Sequence, residues 1–119
     1  MITNTGKQKI AHLLTGSSTN YPVYCAIGTG STSIALTDYK LNTEAIRMPI
    51  DTFTSTTINK ATYTTEFLPV ALSGLVVKEL GLFHNSGLGV GSCWDREGFA
   101  ALTFNGTQFL RTRVTYRIY

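Results

Sequence analysis

The fold is decided by residues 76–84, VVKELGLFH, a nearly continuous apolar run that contains one carboxylate and one glycine. In an extended chain, alternate side chains point to opposite faces. Large apolar residues stand at both odd and even positions of this run, so neither face would be polar. The pattern predicts a β-strand that is covered on both sides.

Glu79 and Gly81 are the two unusual positions in this strand. A carboxylate among apolar residues needs a cation or backbone amides as partners, because an unpaired buried charge is costly. A glycine lacks a Cβ and leaves room for a ring or a second backbone to approach closely. We therefore assign structural roles to Glu79, Gly81 and the adjacent Phe83.

Strand signals also dominate the rest of the chain after residue 46. Segments rich in Thr, Val, Ile, Tyr and Phe alternate with clusters of Asn, Gly and Ser, a pattern typical of short strands joined by turns. With the earlier segment YPVYCAI, the predicted strands are residues 21–27, 47–56, 62–70, 75–84, 99–104 and 109–119. Asn105 and Gly106 predict a hairpin between the last two strands.

One helix is predicted, at the start of the chain. Asn4 or Thr5 can cap it through a side-chain oxygen, and Ile10, Leu13 and Leu14 recur at the spacing of one apolar stripe. Glycine at position 16 is expected to end it. The predicted fold class is therefore all-β: an antiparallel β-sandwich with one short N-terminal α-helix.

Length and composition limit the class of protein. The chain has 119 residues and two cysteines, Cys25 and Cys93, which match no disulfide framework or zinc motif. We expect both to be buried free thiols in a single domain, residues 1–119. No apolar run reaches the roughly 18 residues of a membrane span, and the first residues do not resemble a secretory signal. No membrane partner is expected.

Gly28 and Gly30 bracket a threonine directly after a predicted strand. A dinucleotide-binding loop would need a third glycine where Ser33 stands, and a phosphate-binding loop would need Gly-Lys followed by Ser or Thr. We interpret the two glycines as a tight turn that needs positive φ or close backbone approach. No cofactor is expected.

The search for catalytic groups finds little. His12 and His84 lack the spacing of metal ligands. Asp95 and Glu97 could act as acid and base, but they flank Arg96 in a polar segment, which favours a solvated charge cluster in a turn. We assign no catalytic or metal-binding residue and expect a protein that is not an enzyme.

The segment 109–119, FLRTRVTYRIY, carries a cationic stripe. In an extended chain Arg111, Arg113, Arg117 and Tyr119 share one face. Arginine and tyrosine are enriched at protein interfaces, where a guanidinium binds a neighbour's carboxylate. Arginines also bind phosphates while aromatic rings stack on bases, so a single-stranded nucleic-acid-binding module is a rival. A plain solvated face is the third interpretation, and we rank the protein interface above nucleic acid.

Four segments in a fixed order carry a resemblance to a known family. They are ITNTGKQKIA at residues 2–11, YCAIGTGST at 24–32, ALTDYKLNTEAIR at 35–47 and VVKELGLFHNSG at 76–87. Together they resemble the N-terminal attachment domain of phage tail-collar fibre proteins. The match covers residue 2 to about residue 91, and its most specific parts are AIGTG and KELGLF.

The resemblance implies a non-enzymatic structural protein of a tailed bacteriophage, located in the virion and bound to other phage structural proteins of the tail or baseplate. Collar-fibre proteins continue into a repetitive shaft that is absent from this sequence, so an adaptor, fibre anchor or baseplate subunit is expected. A homo-oligomer is expected too. A capsid decoration or head–tail neck protein is the nearest alternative, and a carbohydrate-binding module that uses exposed Tyr and Trp is a further rival.

Overall fold

A computed structural model describes residues 1–55 and 58–118. The chain consists mostly of strands in antiparallel sheets, with one 12-residue helix and one single-turn helix. In chain order the elements are α1 (Asn4–Thr15), β1 (Tyr24–Gly28), β2 (Glu44–Pro49), β3 (Thr52–Thr54), β4 (Lys60–Phe67), α2 (Pro69–Leu72), β5 (Val76–Phe83), β6 (Cys93–Thr103) and β7 (Leu110–Arg117). The predicted predominance of strands is confirmed, but residues 69 and 70, which were predicted to end a strand, begin the single-turn helix α2.

The strands form two sheets, with orders β2-β1-β5-β6 and β3-β4-β7. One apolar core joins them: Ile27 and Leu82 of the first sheet belong to the same buried cluster as Phe67 of the second. β5 lies inside its sheet, and its residues 79–83 are all buried. The predicted strand with two covered faces is confirmed.

The predicted hairpin at Asn105 and Gly106 is wrong. β6 pairs with β5 and β7 pairs with β4, so the chain crosses from one sheet to the other at this turn. The turn itself is present, since Asn105 Oδ1 accepts hydrogen bonds from the backbone N and the Oγ1 of Thr107. The Asn-Gly pattern predicts that the chain turns here, but it does not predict which sheet the next strand joins.

The helix α1 begins one or two residues earlier than predicted, since Asn4 or Thr5 was the expected cap. Thr3 caps it, with its Oγ1 accepting a hydrogen bond from Gly6 N at 3.0 Å. Its end at Gly16, with φ of 74°, is confirmed. Gly6 is buried and so close to the Trp94 carbonyl oxygen that a Cβ there would clash with it. The first turn of the helix, which carries the glycine, therefore docks on β6.

The predicted apolar stripe of α1 does not pack into the core. Leu14 is 84% exposed, and Ile10 and Leu13 are also exposed. The helix docks through its N-terminal turn, which leaves this stripe on the surface. No helix of the described ranges is long and apolar enough to cross a membrane.

Candidate functional site

Glu79 is fully buried and is bound from several directions. The backbone amides of Gly30, Asn42 and Thr43 each donate a hydrogen bond of 2.8 Å to its carboxylate. Arg96 Nη2 lies 3.1 Å from Glu79 Oε1. The expectation that Glu79 needs a cation or backbone amides is confirmed, and both kinds of partner are present.

Arg96 is the partner that the sequence analysis missed. Its side chain is 2% exposed, and it donates to Asp38 Oδ2 at 2.8 Å and to the carbonyl oxygens of Thr32 and Ser33. The expectation of a solvated turn at residues 95–97 is wrong, because these residues belong to β6 and two carboxylates compensate the buried guanidinium. Asp95 is also buried.

The electrostatics of Arg96 and Asp38 agree with this pairing. Burial alone would lower the pKa of Arg96, but its hydrogen bonds to Asp38 and Glu79 outweigh that effect and raise the pKa. Burial would raise the pKa of Asp38, but the Ala35 amide and Arg96 together hold that pKa below its ordinary value. Both groups are therefore charged at neutral pH.

Close approach explains the glycines around this cluster. Gly28 and Gly30 have no positive φ, but a Cβ on Gly28 would lie 2.7 Å from Glu79 Oε2, and one on Gly30 would lie 2.5 Å from the same oxygen. Gly81 leaves space for Leu41 and for the Phe83 ring, which would lie 2.9 and 3.0 Å from its Cβ. The close-approach part of the prediction is confirmed, whereas the tight turn is not, because Gly28 is the last residue of β1 and residues 29 and 30 form no turn.

A second buried arginine, Arg47, was also missed. Its side chain is 1% exposed, pairs with Glu44 at 2.7 Å and stacks on the Phe83 ring at 3.8 Å. It donates hydrogen bonds of 2.8 Å to the carbonyl oxygens of Asn85 and Val90. Arg47 therefore fastens the loop at residues 85–92, as Arg96 fastens the loop at residues 29–43.

Three of the four segments that carry the phage resemblance meet at these contacts. In β1 and β5, Ala26 pairs with Gly81 and Gly28 pairs with Glu79, so AIGTG and KELGLF are neighbours. The third segment supplies the Asn42 and Thr43 amides that bind Glu79. Since Glu79 and Arg96 bind these protein partners, the cluster has a structural role in joining the strands to the loop of residues 29–43.

The second candidate is the outer face of the β3-β4-β7 sheet, here called the basic face. In the β4–β7 register, Lys60 pairs with Arg117, and Thr64 pairs with Arg113. The outward side chains of the three strands line an open concavity of about 750 Å³. They are Asp51, Thr52, Thr54, Lys60, Thr62, Thr64, Glu66, Arg111, Arg113, Thr115 and Arg117.

The three arginines differ in their partners. Arg111 is 64% exposed and pairs with Glu66 at 3.0 Å. Lys60, Arg113 and Arg117 make no ion pair within residues 1–55 and 58–118. The prediction that the arginines share one exposed face is confirmed by the register, whereas Tyr119 lies outside the described residues.

A third feature lies between β6 and β7, the neighbouring edge strands of the two sheets. An open cleft of about 400 Å³, here called the edge cleft, is lined chiefly by apolar side chains. They are Leu80, Phe99, Leu102, Leu110 and Val114. The sheets are therefore not closed on this side.

Two further expectations concern exposed or reactive side chains. The single tryptophan, Trp94, is 3% exposed, so the rival that uses an exposed tryptophan to bind carbohydrate is wrong in that respect. Cys25 and Cys93 are buried free thiols, as predicted. In the described part of the chain, no group of three or more His, Cys, Asp or Glu residues is placed to hold a metal ion.

Comparison with known proteins adds no family to this description. No protein-family model matches the chain, and no curated protein matches it at a significant level.

Proposed function

We propose that this chain is a non-enzymatic structural protein of a tailed bacteriophage, acting in the tail, baseplate or fibre-attachment region of the virion. It would act through contacts with other phage structural proteins and as a homo-oligomer. Its two sheets would form an open β-sandwich that displays the basic face to its partner. The four segments that resemble collar-fibre attachment domains support the phage assignment.

The observation that carries the proposal is a pair of arginines on an exposed sheet face that make no ion pair with any described residue. Arg113 and Arg117 project from an edge strand beside Lys60, with no carboxylate paired to them in the described residues. A planar guanidinium is suited to bind a carboxylate of a neighbouring subunit with two hydrogen bonds. The basic face is therefore complementary to an acidic protein surface.

A single-stranded nucleic-acid-binding module is the second candidate, because the same cations could bind phosphates. The composition of the face favours it less. Asp51 and Glu66 lie on the same concavity as the arginines. They would repel a phosphate backbone, which carries a charge at every nucleotide, more than a protein segment whose carboxylates stand only opposite the arginines. Threonines, which offer no ring for base stacking, occupy much of the remaining face.

The proposal is tested by charge reversal in the phage that encodes the chain. Arg111→Glu, Arg113→Glu and Arg117→Glu would be combined, and the copy number in purified particles would be measured by quantitative mass spectrometry. We expect a folded protein that is absent from particles. The matched control combines Lys7→Glu, Lys9→Glu and Lys40→Glu, which changes the net charge equally but lies outside the basic face.

A normal copy number for the arginine variant would refute the docking role. The nucleic-acid alternative is measured on the purified protein with single-stranded DNA at increasing salt. Three phosphate contacts from Lys60, Arg113 and Arg117 predict a log–log slope of about 2. Binding with that slope, lost in the arginine variant and kept in the control, would replace the assembly proposal with the nucleic-acid one.

A further inference from the structure

The edge of β7 has the chemistry to accept an additional strand. β7 ends the β3-β4-β7 order, and no strand within the described ranges pairs with its outer edge. The unpaired backbone groups of an edge strand are a template for another extended chain. Beside this edge lies the edge cleft, where Phe99 and Leu102 remain 39% and 42% exposed.

The two faces of β7 would impose opposite requirements on such a strand. Arg111, Arg113 and Arg117 lie on the outer face, while Leu110 and Val114 lie on the inner side that borders the edge cleft. Side chains that stand opposite each other in a sheet share a face. An added strand therefore meets three cations and Thr115 on one face, and on the other face it meets Leu110 and Val114, with the buried Thr112 between them.

A second copy of β7 does not meet these requirements. Antiparallel self-pairing about a twofold axis at residues 111, 112, 113, 114 or 115 always sets one arginine opposite an arginine of the copy. An axis at Val114, for example, pairs Arg111 with Arg117. Like charges directly opposite each other are destabilising in a sheet. The arginines thus disfavour edge-to-edge self-association and favour a different chain.

We propose that β7 captures an extended segment of another protein, in which acidic residues alternate with apolar ones. Acidic side chains would bind Arg113 and Arg117, a third would compete with Glu66 for Arg111, and the apolar side chains would enter the edge cleft. This inference rests on the proposed function, because it uses the same arginines, and it specifies the partner of the basic face as a strand.

The test uses the full chain and a synthetic peptide, acetyl-Glu-Val-Thr-Val-Glu-Val-Glu-amide. Bound antiparallel, this peptide places glutamates opposite the three arginines and threonine opposite Thr115. Binding would be measured by titration calorimetry, and protection of β7 amides by hydrogen exchange with NMR detection. We expect saturable binding and slower exchange of alternate β7 amides, because half of the amides in an edge strand point outward.

Two control peptides separate strand addition from charge attraction. A permuted peptide, Glu-Glu-Glu-Thr-Val-Val-Val, keeps the composition and loses the alternation. A third peptide has the original sequence with alternate backbone nitrogens methylated, so it cannot form the ladder of hydrogen bonds. Each should bind at least about tenfold more weakly. Equal affinity of either control, or no binding of the first peptide, would overturn the inference.

Variants of the protein supply the complementary control. The double variant Arg113→Gln, Arg117→Gln should bind the peptide at least about tenfold more weakly than the unchanged protein. The double variant Lys7→Gln, Lys40→Gln should bind it with unchanged affinity. If the peptide fails to bind but charge reversal still removes the protein from particles, the strand inference falls and the proposed function stands. If an oligothymidine protects the β7 amides and the peptide does not, nucleic-acid binding replaces both the strand inference and the proposed assembly function.

Discussion

Arg96 Nη2 lies 3.1 Å from Glu79 Oε1, and neither side chain is more than 2% exposed. The pair joins β5 to β6, and the remaining donors and acceptors of both groups are directed at the loop of residues 29–43. Without Arg96, Glu79 would keep only backbone amides as partners. Without Glu79, Arg96 would keep one carboxylate, that of Asp38, which is less deeply buried. Removal of either partner therefore leaves a buried charge that is less fully compensated.

The first prediction concerns Glu79→Gln. It keeps the shape of the side chain but removes the more deeply buried of the two carboxylate charges that compensate Arg96, so we expect a loss of about 3–5 kcal/mol in the free energy of unfolding. Urea denaturation measures it. Glu66→Gln is the control, because Glu66 forms an exposed pair with Arg111 and should cost less than about 1 kcal/mol. Equal, small losses in both variants would contradict a structural role for Glu79.

The variant Arg96→Lys tests whether the hydrogen bonds of Arg96 hold the loop of residues 29–43 in place. Lysine keeps the charge, but a single ammonium cannot reach Glu79, Asp38 and the carbonyl of Thr32 together. We expect amide hydrogen exchange within residues 30–43 to accelerate by about tenfold or more, equivalent to ~1.4 kcal/mol of local opening free energy. Arg111→Lys on the exposed face should leave these rates unchanged, and unchanged rates in Arg96→Lys would refute the fastening.

Gly28→Ala and Gly30→Ala should each lower the free energy of unfolding by more than about 1 kcal/mol. Their added Cβ would clash with the Glu79 carboxylate. The control is Gly98→Ala, where the nearest atom, Ile34 Cδ1, would lie at an ordinary 3.4 Å, and its effect should stay within about 0.5 kcal/mol. Thermal denaturation gives the comparison. A stable Gly28 or Gly30 variant that had lost affinity for a nucleotide would instead indicate a ligand-binding loop.

The thiols give a prediction on pH. Burial raises the pKa of Cys25 from 9.0 to about 11 and that of Cys93 from 9.0 to about 12. Since the thiolate is the reactive form, neither native thiol should react with Ellman's reagent at pH 8, whereas both should react in guanidinium chloride. Rapid labelling of the native protein would contradict the buried positions.

The raised pKa values also set the direction of the stability change. Between pH 9 and 11 the unfolded chain loses thiol protons that the folded chain retains, so the free energy of unfolding falls as pH rises. Below pH 9 both states keep the protons and this contribution is complete. Cys25→Ala should show a smaller decrease over the same interval, measured by urea denaturation at each pH.

The strand β5 and the arginine stripe were predictable because each depends on a local alternation. Residues 76–84 are apolar on both faces. Residues 111, 113 and 117 are separated by even numbers of positions, so they lie on the same face of a strand. The same argument placed a carboxylate that needs a partner at Glu79. It could not name Arg96, because the segment Asp95-Arg96-Glu97 is polar on its own and its burial depends on Glu79 and Asp38, which lie 17 and 58 residues away.

The residues that surround the arginines on the basic face could not be predicted from the local sequence either. The stripe on β7 is visible in the sequence, but the facing residues Lys60 and Glu66 lie on β4 and join it only through the strand register. The Asn-Gly signal likewise predicted the turn but not the change of sheet. Partners across a sheet are selected by the packing of the whole core, which a local pattern does not contain.

The crossing from β6 to β7 has a consequence for the order in which the nascent chain can fold. Residues of β7 pair with residues of β4 that precede them by 43 positions at Phe67–Leu110 and by 57 at Lys60–Arg117. As the chain leaves the ribosome, all strands of the first sheet emerge before β7. Until then β3 and β4 are a two-stranded ribbon, which is marginally stable in water. The strand that carries the arginines is thus also the one whose arrival completes the second sheet, and we expect folding to finish only after its synthesis.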